Sequence, residues 1–261
     1  MYERAASPDR DAGALLPIWY VDARRALFVG PLGYNAPHAH SVPVYLAGLY
    51  EPFRLRINGG PWRHCRTAAI PAGVSYEFDV AGQPLAVFYL EPSEAGVEAL
   101  VPLVGEADEA DGARCGQGGA FSLFRDLYES PDGGGDAGAA LDSVLAYSKA
   151  CGRRAFDARI AVAVALLSDP DRALPVGEAA RLAGLSPSRF QHLFAREVGV
   201  PFRRFRSWQR LRHAISGIAS GASFTAAAHD AGFFDQAHFA RTFRQTFGAP
   251  ASPSLRRVRR G

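Results

Sequence analysis

Lysine is almost missing from this chain: Lys149 is the only one among 29 basic side chains, and the rest are arginine. The cation it offers is therefore a planar, permanently charged fork rather than a flexible ammonium. Cysteine is scarce too. Cys65, Cys115 and Cys151 are odd in number and far apart, so they spell neither a disulfide framework nor a CxxC metal pair, and a reducing cytoplasm is the expected setting. No apolar run approaches the length of a membrane span, and MYERAASPDR at the start carries no apolar signal core. A phosphate-cradling glycine loop, a nucleophile elbow and a motif around paired carboxylates are also lacking, which argues against an enzyme.

What is there is unevenly spread. A length of 261 residues and 48% hydrophobic content suit two domains. Residues 1–150 hold 11 basic and 19 acidic side chains, whereas residues 151–261 hold 18 basic and 7 acidic. The second half is the part built to meet a polyanion.

That half also contains a repeat. GLSPSRFQHLFAREVGVP (Gly184–Pro201) is echoed by GFFDQAHFARTFRQTFGAP (Gly232–Pro250), with Phe190, Phe194, Gly199 and Pro201 spaced as Phe239, Phe243, Gly248 and Pro250. The second copy has one extra turn residue, Phe234. Each copy reads as helix, tight turn, helix. Gly184 and Gly232 supply the left-handed residue that ends the first helix. Ser186 and Asp235 stand as N-caps of the second, and Pro187 follows at the first helical position. Phe190, Leu193, Phe194 and Val198 fall on one face, as do Phe239, Phe243 and Phe247. Ser188, Arg189, Gln191, His192 and Arg196 lie off that stripe in one copy, and Gln236, Ala237, Arg241 and Arg244 in the other. These are candidate DNA contacts, because Arg, Gln and Ser read base edges or hold phosphates. Between the copies, Pro201 to Ser220 predicts a linker helix of roughly 30 Å, close to the ~34 Å between successive major grooves on one face of DNA.

With the Arg210-Leu211-x-x-Ala214 segment and the GFFDQAHFARTFRQTFG signature, residues 155–250 resemble the double helix-turn-helix domain of the AraC/XylS family of bacterial transcription regulators. The chain departs from the family after Gly248, where Ala-Pro-Ala-Ser-Pro-Ser-Leu255-Arg256 replaces the usual ending. The resemblance implies base contacts near the start of each recognition helix: Ser188, Gln191 and His192, then Gln236, Ala237 and Arg241.

The first half is different in texture. Residues 1–18 read as a loose lead-in, and from Leu27 short apolar runs (ALFVG, VPVYLAGLY, FRLRI, TAAIP, VSYEFDV, LAVFYL) alternate with Gly and Pro. That is the pattern of a β-sandwich or barrel. His38-Ala-His40 places two imidazoles on one face of a strand, and His64 follows. The stretch resembles a cupin, a double-stranded β-helix whose metal form adds a Glu and a later His. Here Ser41–Tyr45 lacks that Glu, and Tyr76 stands where the later His would be. A pocket without metal is favoured, with His38, His40, His64 and Tyr76 as effector-binding candidates; plain strand-edge roles remain open. Glu94–Val104, Phe121–Tyr128 and Leu141–Lys149 predict helices, and Pro131–Asp136 a flexible break.

The expected architecture is thus a mainly-β, cupin-like domain (1–135) for effector binding and dimerisation. A linker with a short helix (136–153) and an all-α domain with two helix-turn-helix motifs (154–261) follow. The expected function is a cytoplasmic, sequence-specific transcription regulator that binds double-stranded DNA as a homodimer and needs no cofactor. A small-molecule effector and RNA polymerase are further candidate partners. Two alternatives stand beside it: a metal-dependent cupin enzyme fused to a DNA-binding domain, which needs His38, His40 and His64 together, and a ligand-independent regulator whose first half only dimerises. The arginine excess makes one prediction at once. DNA affinity will fall steeply with salt, log K dropping by about 0.9 per unit of log salt for each phosphate neutralised; affinity that is flat with salt would refute a phosphate-based contact.

Overall fold

The computed structural model describes residues 15–130, 137–151, 157–167, 174–255 and 259–260. Of the lead-in predicted at 1–18, residues 1–14 lie outside them, as does the flexible break at 131–136.

Nine strands build the barrel: β1 (Ile18–Val21), β2 (Arg25–Pro31), β3 (Tyr34–His38), β4 (Val44–Gly48), β5 (Phe53–Ile57), β6 (Arg63–Cys65), β7 (Thr67–Ile70), β8 (Tyr76–Asp79) and β9 (Pro84–Leu90). Short strands β10 (Val104–Gly105), β11 (Asp108–Ala110), β12 (Ala113–Gly116) and β13 (Gly118–Gly119) follow, and β14 (Arg259–Arg260) returns alongside β1. One large sheet runs β11-β12-β7-β4-β9-β2-β1-β14 and a second β3-β8-β5-β6, and their inner faces share one core, while β10 and β13 form a separate two-stranded pair. In β5, Phe53, Leu55 and Ile57 point inward while Arg54 and Arg56 flank the exposed side of Trp62. The central strand β4 is buried at every position. Val44 and Leu46 face the barrel core, whereas Tyr45 and Ala47 face a second cluster. Burial on both faces is why VYLAG and LAVFYL read as unbroken apolar runs.

The second cluster is covered by α1 (Ser122–Glu129) and α2 (Ala137–Cys151) through Phe124, Leu127, Leu141 and Leu145. Buried Arg25 clamps α2, pairing with Asp142 at 2.9 Å and donating to the Gly138 carbonyl. The helix expected within the linker is thus fastened to the barrel. The helix predicted at Glu94–Val104 does not form. Two 3-10 turns, Val97–Ala99 and Val101–Leu103, occupy the stretch, since Pro102 has no N–H to continue an α-helix. Strand β1 corrects the sequence reading, which runs the loose lead-in to residue 18 and begins the strands at Leu27 although Pro17 stands just before IWYV. Cys65 and Cys115, far apart in sequence, are buried free thiols in the same barrel core.

The helical half comprises α3 (Ala158–Leu167), α4 (Val176–Leu182), α5 (Pro187–Val198), α6 (Phe202–Ala219), α7 (Phe224–Asp230), α8 (Gln236–Phe247) and α9 (Ala251–Leu255). Rings of Phe190, Phe194, Phe202 and Phe205 join α5 to α6, and Phe239 and Phe243 bind α8 into the second subdomain. Helix α6 is the expected linker helix, eighteen residues long.

The two halves are locked together at Glu91, just past β9. Its carboxylate accepts from Trp208 Nε1 (2.7 Å) and Gln209 Nε2 (2.8 Å) and pairs with Arg212 at 2.9 Å. Arg212 also donates to the Asp22 carbonyl. Glu91 is 1% exposed and Arg212 6%. Removing one partner of such a pair strands the other charge in the interior. Glu91→Ala is expected to cost about 3–5 kcal/mol in urea unfolding, with a red shift of Trp208 emission, and Glu91→Gln less. A loss below about 1 kcal/mol would mean that the pair behaves as an exposed one.

Candidate DNA-binding surface and ligand pocket

Both helix-turn-helix units form as the repeat predicts. Gly184 and Gly232 adopt φ +64° and +75° in the turns. Ser186 Oγ accepts from the Arg189 amide at 3.4 Å, and Asp235 Oδ1 from the His238 amide at 2.5 Å. The stripes Phe190-Phe194-Val198 and Phe239-Phe243-Phe247 are buried. Ser188, Arg189, Gln191, His192 and Arg196 are exposed on α5, and Gln236, Ala237, Arg241 and Arg244 on α8.

Their surroundings differ. On α5, His192 Nδ1 bonds to the Ser188 carbonyl at 2.8 Å, and Arg196 pairs with Glu197 at 3.1 Å. Arg189, His192 and Arg196 line an open groove of about 510 Å³ together with Arg159 of α3. On α8, Gln236 Oε1 accepts from Thr225 Oγ1 at 3.1 Å, which orients the amide and leaves its N–H groups free. The side chains of Arg241 and Arg244 make no hydrogen bond or ion pair among the described residues, so their guanidinium groups are available to a ligand. Phe234, the extra turn residue, is 90% exposed at the tip of α8. The repeat located Phe234, but nothing in the sequence marked it as bare.

The histidines occupy a second site. His38 lies directly opposite Tyr76 in the β3–β8 ladder, with ring centroids 4.3 Å apart, and the His40 ring is 4.9 Å from that of His38. All three line a cavity at the barrel mouth with Asn35, Trp19, Phe28, Phe78 and Tyr89. Its other wall comes from the helical half: Phe243 and Phe247 of α8, Ala249, and Ser254 of α9. Gly248 makes that approach close. A Cβ there would collide with Asn35 Oδ1, the Ala36 carbonyl and His38 Nδ1, and its φ of +69° already favours glycine. Trp19 Nε1 donates to the Ser254 carbonyl at 3.0 Å, and Arg204 Nη2 to the Ala39 carbonyl at 2.5 Å.

His64 does not join this group. It is exposed on β6, the outer strand of the β3-β8-β5-β6 sheet, opposite Arg54. Alternation along β6 turns Cys65 inward and therefore His64 outward. The trio His38, His40 and His64 is not assembled, and no group of three His, Cys, Asp or Glu among the described residues could hold a metal ion.

Burial governs the charge of the two imidazoles. His38 is pushed down to about 4 by desolvation and by Arg204, against the hydrogen bond from its ring to the Ala36 carbonyl. His40 falls well below 6.5 through desolvation first, then His38 and Arg204. Between pH 6.5 and 4 the unfolded chain thus binds protons that the native state refuses. Stability should fall as pH drops through that window, by about 1.4 kcal/mol per pH unit for each histidine. Urea unfolding at pH 7 and pH 5 checks this: His40→Asn should flatten the dependence, and an unchanged slope would contradict it.

A model for a helix-turn-helix domain matches residues 179–257. No curated protein sequence matches the chain significantly. Among solved structures, ToxT of Vibrio cholerae strain SCE256 with bound unsaturated fatty acid superposes with TM-score 0.57 at 12% identity, covering 91% of this chain and 98% of that one. ToxT of strain O395 gives 0.57 at 11% identity, covering 90% and 99%. That likeness extends the two-domain fold across almost the whole chain. A probable AraC family regulator from Rhodopseudomonas palustris is 30% identical over 40% of this chain and 99% of that one, with TM-score 0.35. No helix among the described residues is long and apolar enough to cross a membrane. With the signature at 232–248 and the domain match falling on the same helices, the chain belongs to the AraC family of DNA-binding transcription regulators.

Proposed function

We infer that this regulator reads operator DNA with α5 and α8 and senses a small molecule at the barrel mouth. One observation carries the sensing role: Phe243 and Phe247, on the inner stripe of α8, line the same cavity as His38, His40 and Tyr76. Whatever occupies that cavity touches the helix that carries Gln236 and Arg241 on its outer face. The fatty acid bound to ToxT, a chain of the same fold, supports a ligand-responsive role here.

On DNA, Ser188, Gln191 and His192 of α5 and Gln236, Ala237 and Arg241 of α8 face base edges. Arg189, Arg196 and Arg244 hold phosphates, as the cationic groove beside α5 suits. Phe234 adds an apolar surface for a thymine methyl group. The protein works as a binder rather than a catalyst, in the cytoplasm, as a homodimer that meets RNA polymerase at the promoter. Dimer and polymerase contact rest on the family alone.

Arg241 is the test of base reading, since its guanidinium is unpaired and can bridge O6 and N7 of guanine. Arg241→Ala should lose about 1–3 kcal/mol on the native operator and relax preference at one base position. Titration against every single-base variant of the half-site decides. A uniform loss, with the salt slope shallower by about one, would make Arg241 a phosphate contact and leave Gln236 as the reader.

A further inference from the structure

We propose that the cavity at the barrel mouth takes an uncharged, flat molecule bearing both a hydrogen-bond donor and an acceptor, and takes it in place of the aromatic end of α8. The proposal rests on the sensing role given above and specifies its chemistry.

Buried polar atoms without partners are rare in folded proteins and call for one. Five occur among the described residues, and three of these, Asn35 Oδ1, His40 Nδ1 and Tyr76 Oη, belong to residues of this one cavity wall. Asn35 Oδ1 can only accept. Tyr76, its phenol held protonated by burial, can donate. An occupant satisfying both must offer a donor and an acceptor.

The rest of the lining settles charge and shape. None of the side chains around the cavity is ionic, and both histidines are neutral. The cation beside them, Arg204, keeps its charge but is not among the side chains that line the cavity, and one of its N–H groups is held by the Ala39 carbonyl. A carboxylate in the cavity would lose its water with no ion-pair partner on the wall. Aromatic rings on several sides favour a planar guest.

Size supplies the second half of the proposal. The cavity measures about 30 Å³, room for two or three waters at about 10–15 Å³ each. A ring-sized guest needs more. The barrel lining is held on laddered strands β1, β2, β3, β8 and β9, but Phe247 and Ser254 reach in from the helical half. Guest and seated α8 therefore exclude one another.

The test is a titration of the full chain at pH 7.5, followed by tryptophan emission, since Trp19 lines the cavity and Trp208 abuts His40. The probes are 4-hydroxybenzamide, its anionic counterpart 4-hydroxybenzoate, toluene and decanoate. The amide should bind at least ten-fold tighter than the other three. Tyr76→Phe should weaken it several-fold without affecting toluene. Phe247→Ala, or Phe247→Leu should the alanine variant not fold, should tighten it at least ten-fold by clearing space. Amide hydrogen exchange at 251–255 should quicken on saturation. Tighter binding of benzoate or decanoate, or slower exchange at 251–255, would overturn this inference while leaving a sensing pocket in place. Failure of every probe, in wild type and variants alike, would remove the sensing role together with it.

Discussion

Glu91 has left water entirely, and the seating of one half of the molecule on the other depends on the groups that answer it. Bringing a carboxylate into the interior costs several kcal/mol before compensation. Here burial pushes its proton affinity up, and Arg212, Trp208 and Gln209 push back. Those three residues stand at i, i+1 and i+4 on α6, so a helix in one rotation and one register presents them together. A slip of one residue would turn the donors away. The network thus selects a single docking geometry more than it adds stability. Because α6 joins both helix-turn-helix units, that geometry also sets where both recognition helices stand relative to the barrel.

What could be read from the sequence was what is local. Turn glycines, N-caps and phenylalanine stripes of the repeat all act within a few residues, and every one formed where spacing placed it. The barrel was legible as a class because its inner strands are apolar on both faces. Nonlocal features were out of reach. Glu91 reads as part of a Leu-Glu-Pro turn, since its partners lie more than a hundred residues away. The cavity draws on residues from Trp19 to Ser254, and no window of sequence contains both. His64 misled for the opposite reason: histidine is a plausible ligand by type, but strand alternation gave the inward position to its neighbour Cys65. Pro102, within a stretch expected to be helical, was the signal for the 3-10 turns at 97–103.

The polar atoms of the barrel mouth deserve comparison with its docking contacts. Backbone carbonyls of Ala39 and Ser254 are satisfied across the interface, by Arg204 and Trp19. The side chains of Asn35, His40 and Tyr76 are not. At the barrel mouth, then, the main-chain carbonyls are met across the interface while these three side-chain atoms are not. That distribution separates the parts that hold the halves together from those free to recognise something else.

Helix α8 has an outer face bearing Gln236 and Arg241 and an inner stripe ending at Phe243 and Phe247. Those two phenylalanines hold the subdomain core and close the cavity, so a substitution at either is pleiotropic. On the proposed reading, a lineage of such proteins changes what it recognises at the barrel through residues of β1, β2, β3, β8 and β9, where a new side chain leaves the outer face of α8 untouched. Operator preference can drift separately on the outer face of α8. The two specificities can then diverge at different rates within one gene, with the phenylalanine stripe as the shared element that neither can alter freely.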